Sequence, residues 1–454
     1  MNYTEAVRYL LSLGRELAAP TQAAAAKFDL ENIRTLANRL GNPQQAYPSV
    51  HVAGTNGKGS TAAMLESILR AAGLRAGLYT SPHLERINER IGIAGDSISD
   101  EDFAAEFTRL QRLIEELLAS GELRAHPTYF ECVTAMAFDH FARERVDFAV
   151  FEAGLGGRLD ATNVITPEVA VITQIDFDHE TFLGHSIQEI AAEKAGIIKP
   201  GIPVVSAAGR PEARAVIARR AAAQGCALIE LDGAYRIENE SSVGGCFRAT
   251  IREVASGWNL VITLPLRGQF QLRNALTAVA VAQILAARGY AISDAAISGG
   301  LASVHWPGRL EKLQDRPAVY LDGAHNPAGA RELAAFWQEH FEGRRIHLVY
   351  GALRDKAVDE VAGILFPRAA TVILTEPPTT RAISAQLIAE MTDHLALKVE
   401  VIAEPEEALE RALALAAPYD VVFVAGSLYL VGAVRRHWFM RAHAGEKLAV
   451  VQSE

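Results

Sequence analysis

Gly54-Thr55-Asn56-Gly57-Lys58-Gly59-Ser60 stands between a β-rich run at residues 50–53 and a helical pattern at residues 60–72. A strand, a glycine-rich turn and a helix start, in that order, make an anion site. Backbone N–H groups and the helix dipole point at one spot, and a lysine can reach the terminal phosphates. Lys58 is the candidate for that contact. The common phosphate-loop spacing G-x-x-x-x-G-K-[ST] is not met, because Gly59 separates Lys58 from Ser60 and the first glycine lies closer than the pattern asks. Taken alone, the stretch also reads as a tight strand-to-helix connection.

Working outward, β-rich runs at residues 76–80, 148–152 and 169–173 alternate with helical patterns. That alternation predicts a mostly parallel sheet flanked by helices. Ligands of such sheets gather at the C-terminal ends of the strands. The Gly54 loop, Thr80-Ser81, Glu152 and residues 174–179 all follow apparent strands, so they are expected to meet at one edge. Between residues 234 and 264 polar and apolar residues alternate around Gly244-Gly245 and Ser256-Gly257, the pattern of an antiparallel insertion. Helical periodicity returns at residues 271–288. The predicted architecture is α/β: a P-loop-type domain over residues 1–303, a linker at 304–308, and a smaller doubly wound, Rossmann-like domain over 309–454. The second unit has expected strands at 318–321, 346–350, 371–374, 398–402 and 421–424.

The 454 residues are 50% hydrophobic and 22% charged, with a formal net charge of -10. Such a length suits two or three domains. The acidic balance argues against a sequence-independent hold on nucleic acid, which needs a basic surface. Cys132, Cys226 and Cys246 form neither a C-x-x-C pair nor a disulfide framework, which favours a reducing compartment. The first residues lack a basic region followed by an apolar stretch, and no run approaches the roughly 18 apolar residues of a membrane span. A cytoplasmic, monomeric protein without membrane or nucleic-acid partners is expected.

The departure at Gly59 is informative, since GTNGKGS resembles the phosphate loop of the Mur ligase superfamily and, within it, of the folylpolyglutamate and dihydrofolate synthases. The resemblance runs over nearly the whole chain. It takes in Thr80-Ser81-Pro82-His83-Leu84, Thr128-Tyr129-Phe130-Glu131, the stretch from Glu152 to Asn163 (EAGLGGRLDATN), and Asp178-His179. It continues through Glu193-Lys194-Ala195-Gly196-Ile197, Gly268-x-x-Gln271-x-x-Asn274, Trp306-Pro307-Gly308-Arg309, residues 321–327 (LDGAHNP) and Gly426-Ser427-Leu428-Tyr429. Each motif is weak singly, and their joint order is specific.

The resemblance implies ATP held by Gly54, Thr55, Asn56, Gly57, Lys58, Gly59 and Ser60, with Asn274, Arg309 and Asp322 as further nucleotide contacts. The last two lie beyond the expected boundary, so the nucleotide would bridge two domains. It implies Mg²⁺ on Ser81, Glu152 and His179, a carbamylated Lys194 helping to hold a second metal, and a monovalent cation such as K⁺. The pterin region would be Thr128, Tyr129, Phe130, Glu131, Leu159, Asp160 and Ala161, with Phe28-Asp29-Leu30 as a weaker candidate. Read without the resemblance, Glu152 could be a strand-end acid, His179 a structural histidine, Lys194 a solvated side chain, Asn274 a helix hydrogen-bonder and Asp322 a helix cap.

The implied reaction is attack of a pteroate or folyl-glutamate carboxylate on the γ-phosphate of ATP, followed by displacement of phosphate by the amine of L-glutamate. Catalysis would be positioning plus electrostatics, with Lys58, Lys194, Arg309 and His325 in catalytic roles. Two departures stand out. Asp355-Lys356-Ala357 replaces a D-K-D run, and Asp176-Phe177 stands where small or aliphatic residues are often seen. A peptidoglycan-type Mur ligase is the nearest alternative, but it usually carries a UDP-binding domain before the phosphate loop, and 53 residues precede Gly54 here. A non-ligating P-loop regulatory protein would not need Glu152, His179 and Lys194 together with an arginine from a second domain.

Overall fold

β1 (Ser49–Ala53) is buried at every residue, so it needs cover on both faces and partners on both edges. It receives them in a computed structural model that describes residues 1–13 and 29–451, with side chains as far as Arg441. With β2 (Ala76–Tyr79), β3 (Ile91–Ile93), β4 (Asp96–Ser97), β5 (Phe148–Glu152), β6 (Val169–Ile172), β7 (Val204–Ser206) and β8 (Leu228–Glu230) it forms an eight-stranded sheet. The order is β4-β3-β2-β5-β1-β6-β7-β8. All pairings are parallel except β2 with β3 and β3 with β4. β1 lies between β5 and β6, so the loops leaving these three strands open side by side at the carboxyl edge.

Helices cover both faces. Lys58–Ala71 buries ten residues, Ser60 through Leu69, and packs with Gln269–Ala287 and Asp294–Ser303 in one core. The opposite face carries an aromatic core in which Tyr47, Tyr79, Phe138 and Phe141 surround Phe151. The expectation of no span-like run needs one correction. Gln269–Ala287 is long and apolar enough by composition to cross a membrane, but 67% of that window is buried inside the protein. Its apolarity is that of a helix enclosed by a core.

The alternating segment forms β9 (Tyr235–Val243), β10 (Cys246–Glu253) and β11 (Asn259–Leu264), an antiparallel sheet ordered β11-β10-β9. On β10 Phe247, Ala249 and Ile251 point to the core while their neighbours face outward.

The chain leaves Asp294–Ser303, passes residues 304–308 without regular structure, and enters a six-stranded sheet. Its strands are β12 (Glu311–Asp315), β13 (Ala318–Leu321), β14 (Ile346–Tyr350), β15 (Thr371–Leu374), β16 (Val399–Val401) and β17 (Val421–Ala425). They run in the order β12-β13-β17-β14-β15-β16, parallel apart from β12. Separate hydrophobic cores line its two faces, one of them under the helix Pro327–Phe341. The strands absent from the sequence expectation are short or half-exposed: β3, β4, β7, β8 and the polar β12, Glu-Lys-Leu-Gln-Asp.

Candidate functional site

The Gly54 loop leaves β1 with Gly54 at φ +153° and Gly57 at φ +87°, conformations side chains rarely adopt. A Cβ on Gly54 would lie 1.8 Å from Thr173 Oγ1, and one on Gly57 would lie 2.3 Å from Asn274 Oδ1. Close approach by β6 on one side and by the helix Gln269–Ala287 on the other therefore requires glycine at both places. The Thr55 amide donates to the Gln174 carbonyl (2.7 Å), and Thr55 Oγ1 donates to the Asp176 carbonyl (3.0 Å). Gln271 Nε2 donates to Ser60 Oγ (3.2 Å), and Asn274 Nδ2 donates to Gln271 Oε1 (2.9 Å). Trp306 packs over Gly59.

Two lysines converge on one carbonyl. Lys58 Nζ donates to Gly54 O (3.1 Å) and Thr55 O (3.2 Å), and Lys194 Nζ donates to Gly54 O (2.7 Å). The placement of Lys194 is local chemistry. Ser186 and Glu189 form a capping box that starts the helix Ile187–Lys194, and the Arg158 amide donates to the Glu193 carbonyl (2.8 Å) at its end. Lys194 is 4% exposed. Burial, then Lys58, pushes its ammonium down to about 7.

Glu152 ends β5, buried, with one carboxylate oxygen accepting the Ser81 amide (3.1 Å). Burial raises its pKa, opposed by Lys58, the Ser81 amide, Arg309 and Arg90. Arg309 reaches it from the second sheet's layer; burial lowers the arginine, and Asp322 and Glu152 support its charge. Asp322 does not cap the following helix. Its oxygens accept the Leu310 and Ala324 amides (2.8 Å each) and so fasten the Arg309 turn to the end of β13; Asn326 caps the helix.

His179 lies in a cluster with Asp178, Asp355 and Lys356. Asp178 accepts from Lys356 Nζ (2.7 Å), His325 Nε2 is 3.5 Å from it, and Asn326 Nδ2 donates to it (3.3 Å). His179 Nε2 lies 3.1 Å from Lys356 Nζ. Burial opposes the Asp178 charge, but Lys356 and the two histidines overcome this and hold it well below the carboxylate range. Burial, then Lys356, lowers His179 to about 3, so its imidazole is neutral and can accept from Lys356. Among the described residues no three His, Cys, Asp or Glu side chains are grouped to hold a metal ion.

Of the expected pterin residues, Thr128 and Glu131 are engaged with each other. They form the capping box of Tyr129–Arg143 (2.8 Å and 3.2 Å), and Tyr129 is in the core. Asp160, fully enclosed, accepts the Leu155 (2.8 Å) and Thr162 (3.0 Å) amides and shapes its own turn, with Ala161 buried beneath it. Phe130 and Leu159 remain half-buried. The Phe130 ring packs against Gly154, where a Cβ would be 2.5 Å from its Cζ, so the aromatic contacts a residue two positions from Glu152. Phe28 lies outside the described residues.

Thr162 also pairs with His51 Nε2 (2.8 Å), on β1. Burial, then Lys199, holds His51 at about 3. Since this folded-state value is below the ordinary 6.5, the unfolded chain takes up a proton that the native state refuses. Stability is full above pH 6.5 and is expected to fall by about 1.4 kcal/mol per pH unit as pH drops below it toward 3. Urea midpoints at pH 6.0 and 5.0 test this. His51→Asn, which can keep a bond to Thr162, should reduce the proton uptake by one; an unchanged pH slope would refute the assignment.

The missing acid of the D-K-D run falls on Ala357, which occupies the N-cap of Val358–Leu365 and offers no side-chain oxygen. Ala357→Asp is expected to raise stability by roughly 1 kcal/mol by capping that helix. An unchanged urea midpoint would count against it. Lys356, Asn326, Asp176 and Trp306 belong to motifs quoted above without a site role, and the contacts that tie the first three to the phosphate loop and to Asp178 span 121 to 270 residues.

Residues 52–282 match the Mur ligase middle domain, and residues 308–428 match the Mur ligase glutamate ligase domain. The chain is 38% identical over 413 residues to a dihydrofolate synthase/folylpolyglutamate synthase of Bacillus subtilis, covering 90% of this chain and 95% of that protein. It is 37% identical to a folylpolyglutamate synthase of Lacticaseibacillus casei over 96% of this chain and 98% of that one. A folylpolyglutamate synthase of Mycobacterium tuberculosis complexed with ADP superposes with a TM-score of 0.86 at 33% identity, over 96% of this chain and 98% of that one.

Proposed function

The chain belongs to the folylpolyglutamate and dihydrofolate synthase family of Mur ligases, and from that premise we propose how its residues join L-glutamate to a folate-type carboxylate at the expense of ATP. The observation that carries the reading is a cluster of charged groups assembled from two layers around the phosphate loop. Lys58 and Lys194 converge on the Gly54 carbonyl, buried Glu152 sits beside them, and Arg309 arrives from the second sheet.

The acceptor is dihydropteroate, a reduced folate, or both. Its carboxylate attacks the γ-phosphorus, the bond to the bridging oxygen of ADP breaks, and an acyl phosphate forms. The free amine of glutamate then adds to the acyl carbon, phosphate leaves, and the amide nitrogen sheds a proton. Gly54 to Ser60 and Lys58 hold the phosphates, Asn274 and Asp322 fix the loop and turn around the nucleotide, and Arg309 balances charge on the transferring group. His325, anchored by Nδ1 on Gly323 O (2.7 Å), faces Asp178 and orients the acyl phosphate or the amine. Phe130 and Leu159 offer the flat apolar surface that a pterin needs.

The site chemistry fits a hard cation. Glu152 is a buried carboxylate that accepts the Ser81 amide and, among the described residues, has no cationic side chain hydrogen-bonded to it, while His179 Nε2 already faces the Lys356 ammonium. Ser81, Glu152 and His179 would hold Mg²⁺, and a carbamylated Lys194 a second ion. When bound, the metal neutralises phosphate charge. The same assay in KCl and NaCl tests the monovalent cation. The three cysteines are unbridged, in keeping with a cytoplasmic site of action.

The deciding experiment offers purified protein ATP, Mg²⁺ and labelled glutamate with dihydropteroate and tetrahydrofolate in separate arms. Incorporation with one acceptor assigns the specificity, and incorporation with both makes the enzyme bifunctional. No incorporation with either refutes the reading.

A further inference from the structure

Asp176 stands where the resemblance would place a small or aliphatic residue, and its surroundings give that difference a purpose. Its backbone belongs to the phosphate loop's support: Thr55 Oγ1 donates to the Asp176 carbonyl (3.0 Å) and accepts from the Asp176 amide (3.1 Å). Its side chain, only 9% exposed, faces two arginines. Arg210 Nη2, from the same layer, lies 2.8 Å from Oδ1 and stacks over Phe177 at 5.5 Å. Arg331 Nη2, from the helix Pro327–Phe341 of the second layer, lies 3.3 Å from Oδ2.

The same helix meets the phosphate loop at its N-cap. Asn326 Nδ2 donates to Asn56 Oδ1 (2.9 Å), and Asn56 Nδ2 donates to Asn326 Oδ1 (3.2 Å), while Asn326 Oδ1 also accepts the Gly329 amide that starts the helix (2.8 Å). One helix thus touches Asn56 of the loop through its N-cap and Asp176, the residue bonded to Thr55, through its second turn.

We propose that Asp176 is a positioning residue for the ligation, a latch through which Arg331 docks the second layer against the phosphate loop and sets the loop's geometry for ATP. The inference rests on the ligase reading above. Exposed ion pairs contribute little to stability, and Arg331 is about half exposed, so the contact's use lies in register between layers.

The test compares Asp176→Asn, Arg331→Ala, Arg331→Lys, Arg210→Ala and the Asp176→Asn/Arg331→Ala double variant with the wild-type enzyme. Glutamate-dependent ADP release gives kcat and KM for ATP, and thermal unfolding gives Tm. Asp176→Asn and Arg331→Ala are expected to raise KM for ATP by about three- to tenfold with kcat and Tm little changed. The double variant should resemble either single one, and Arg331→Lys should recover part of the loss. Arg210→Ala, which leaves the interlayer contact in place, should change KM by less than twofold. A wild-type enzyme without activity would defeat the ligase reading. An active wild type with KM unmoved in Arg331→Ala, additive single effects, or equal effects of Arg210→Ala and Arg331→Ala would overturn the latch.

Discussion

Glu152→Gln is expected to lower glutamate-dependent ADP formation on the order of 10²–10³-fold while leaving thermal stability equal to or above that of the wild type. The two directions come from one fact. Glu152 is enclosed at the end of β5, its charge opposed by burial and supported by Lys58, the Ser81 amide, Arg309 and Arg90. An amide of the same shape removes the costly charge and lets the fold relax. It also removes the hard anionic oxygen nearest the phosphate loop, which is needed when phosphate charge is present.

Lys58→Ala should act on the same step from the opposite side. Its ammonium lies on the Gly54 and Thr55 carbonyls, poised for an anion in the loop. A fall of similar size is expected, with KM for ATP rising as well, because the proposed role of Lys58 is to hold the nucleotide before and during transfer. Steady-state kinetics and a melting curve on each variant suffice. Turnover within a few fold of wild type in either one would remove that residue from the site.

The carboxyl edge where these groups meet was legible because β1, β5 and β6 are short β-rich runs, apolar apart from Ser49 and His51 in β1 and the closing Glu152 of β5, that lead into a glycine, an acid, or a polar stretch. Strands without that signal escaped. β12 is Glu-Lys-Leu-Gln-Asp, half-exposed at a sheet edge, and β4 is two exposed residues. Within the site, the phosphate loop, Glu152 and Lys194 carry local marks: positive-φ glycines, an acid at a strand end, a lysine at a helix end.

Asp176 carries none. Its meaning depends on Arg331, 155 residues away, and the one-dimensional pattern shows only an acid beside a phenylalanine. The reverse case is Thr128-Tyr129-Phe130-Glu131. A Thr-x-x-Glu spacing before an apolar run is a capping signature, and Thr128 and Glu131 do cap a helix. Their polar atoms are thereby committed, and Phe130 is left as the member of the quartet that faces the Glu152 turn.

On the proposal that Lys194 is carbamylated, the wild-type enzyme is expected to show a carbamate signal with ¹³C-bicarbonate, and Lys194→Arg is expected to abolish it and to depress turnover by roughly 10²-fold. Lys194 is enclosed, its Nζ 2.7 Å from the Gly54 carbonyl, and its near neighbour Lys58 is also a cation on that carbonyl. Two ammonium groups on one acceptor repel, and burial adds to the penalty, so Lys194 is lowered to about 7. Near neutral pH about half of its amines are therefore unprotonated and nucleophilic. Attack on CO₂ forms an N–C bond, releases one proton and converts the group to an anion, while the remaining N–H can keep the Gly54 bond. The repulsion with Lys58 becomes attraction, and a second anion joins Glu152 beside the loop. Arginine keeps the positive charge and cannot make this carbamate. The ¹³C spectrum reads the modification without turnover, at pH 8 where the free amine dominates. A carbamate resonance that survives Lys194→Arg, or one absent from active wild-type enzyme, would place the second anionic ligand elsewhere.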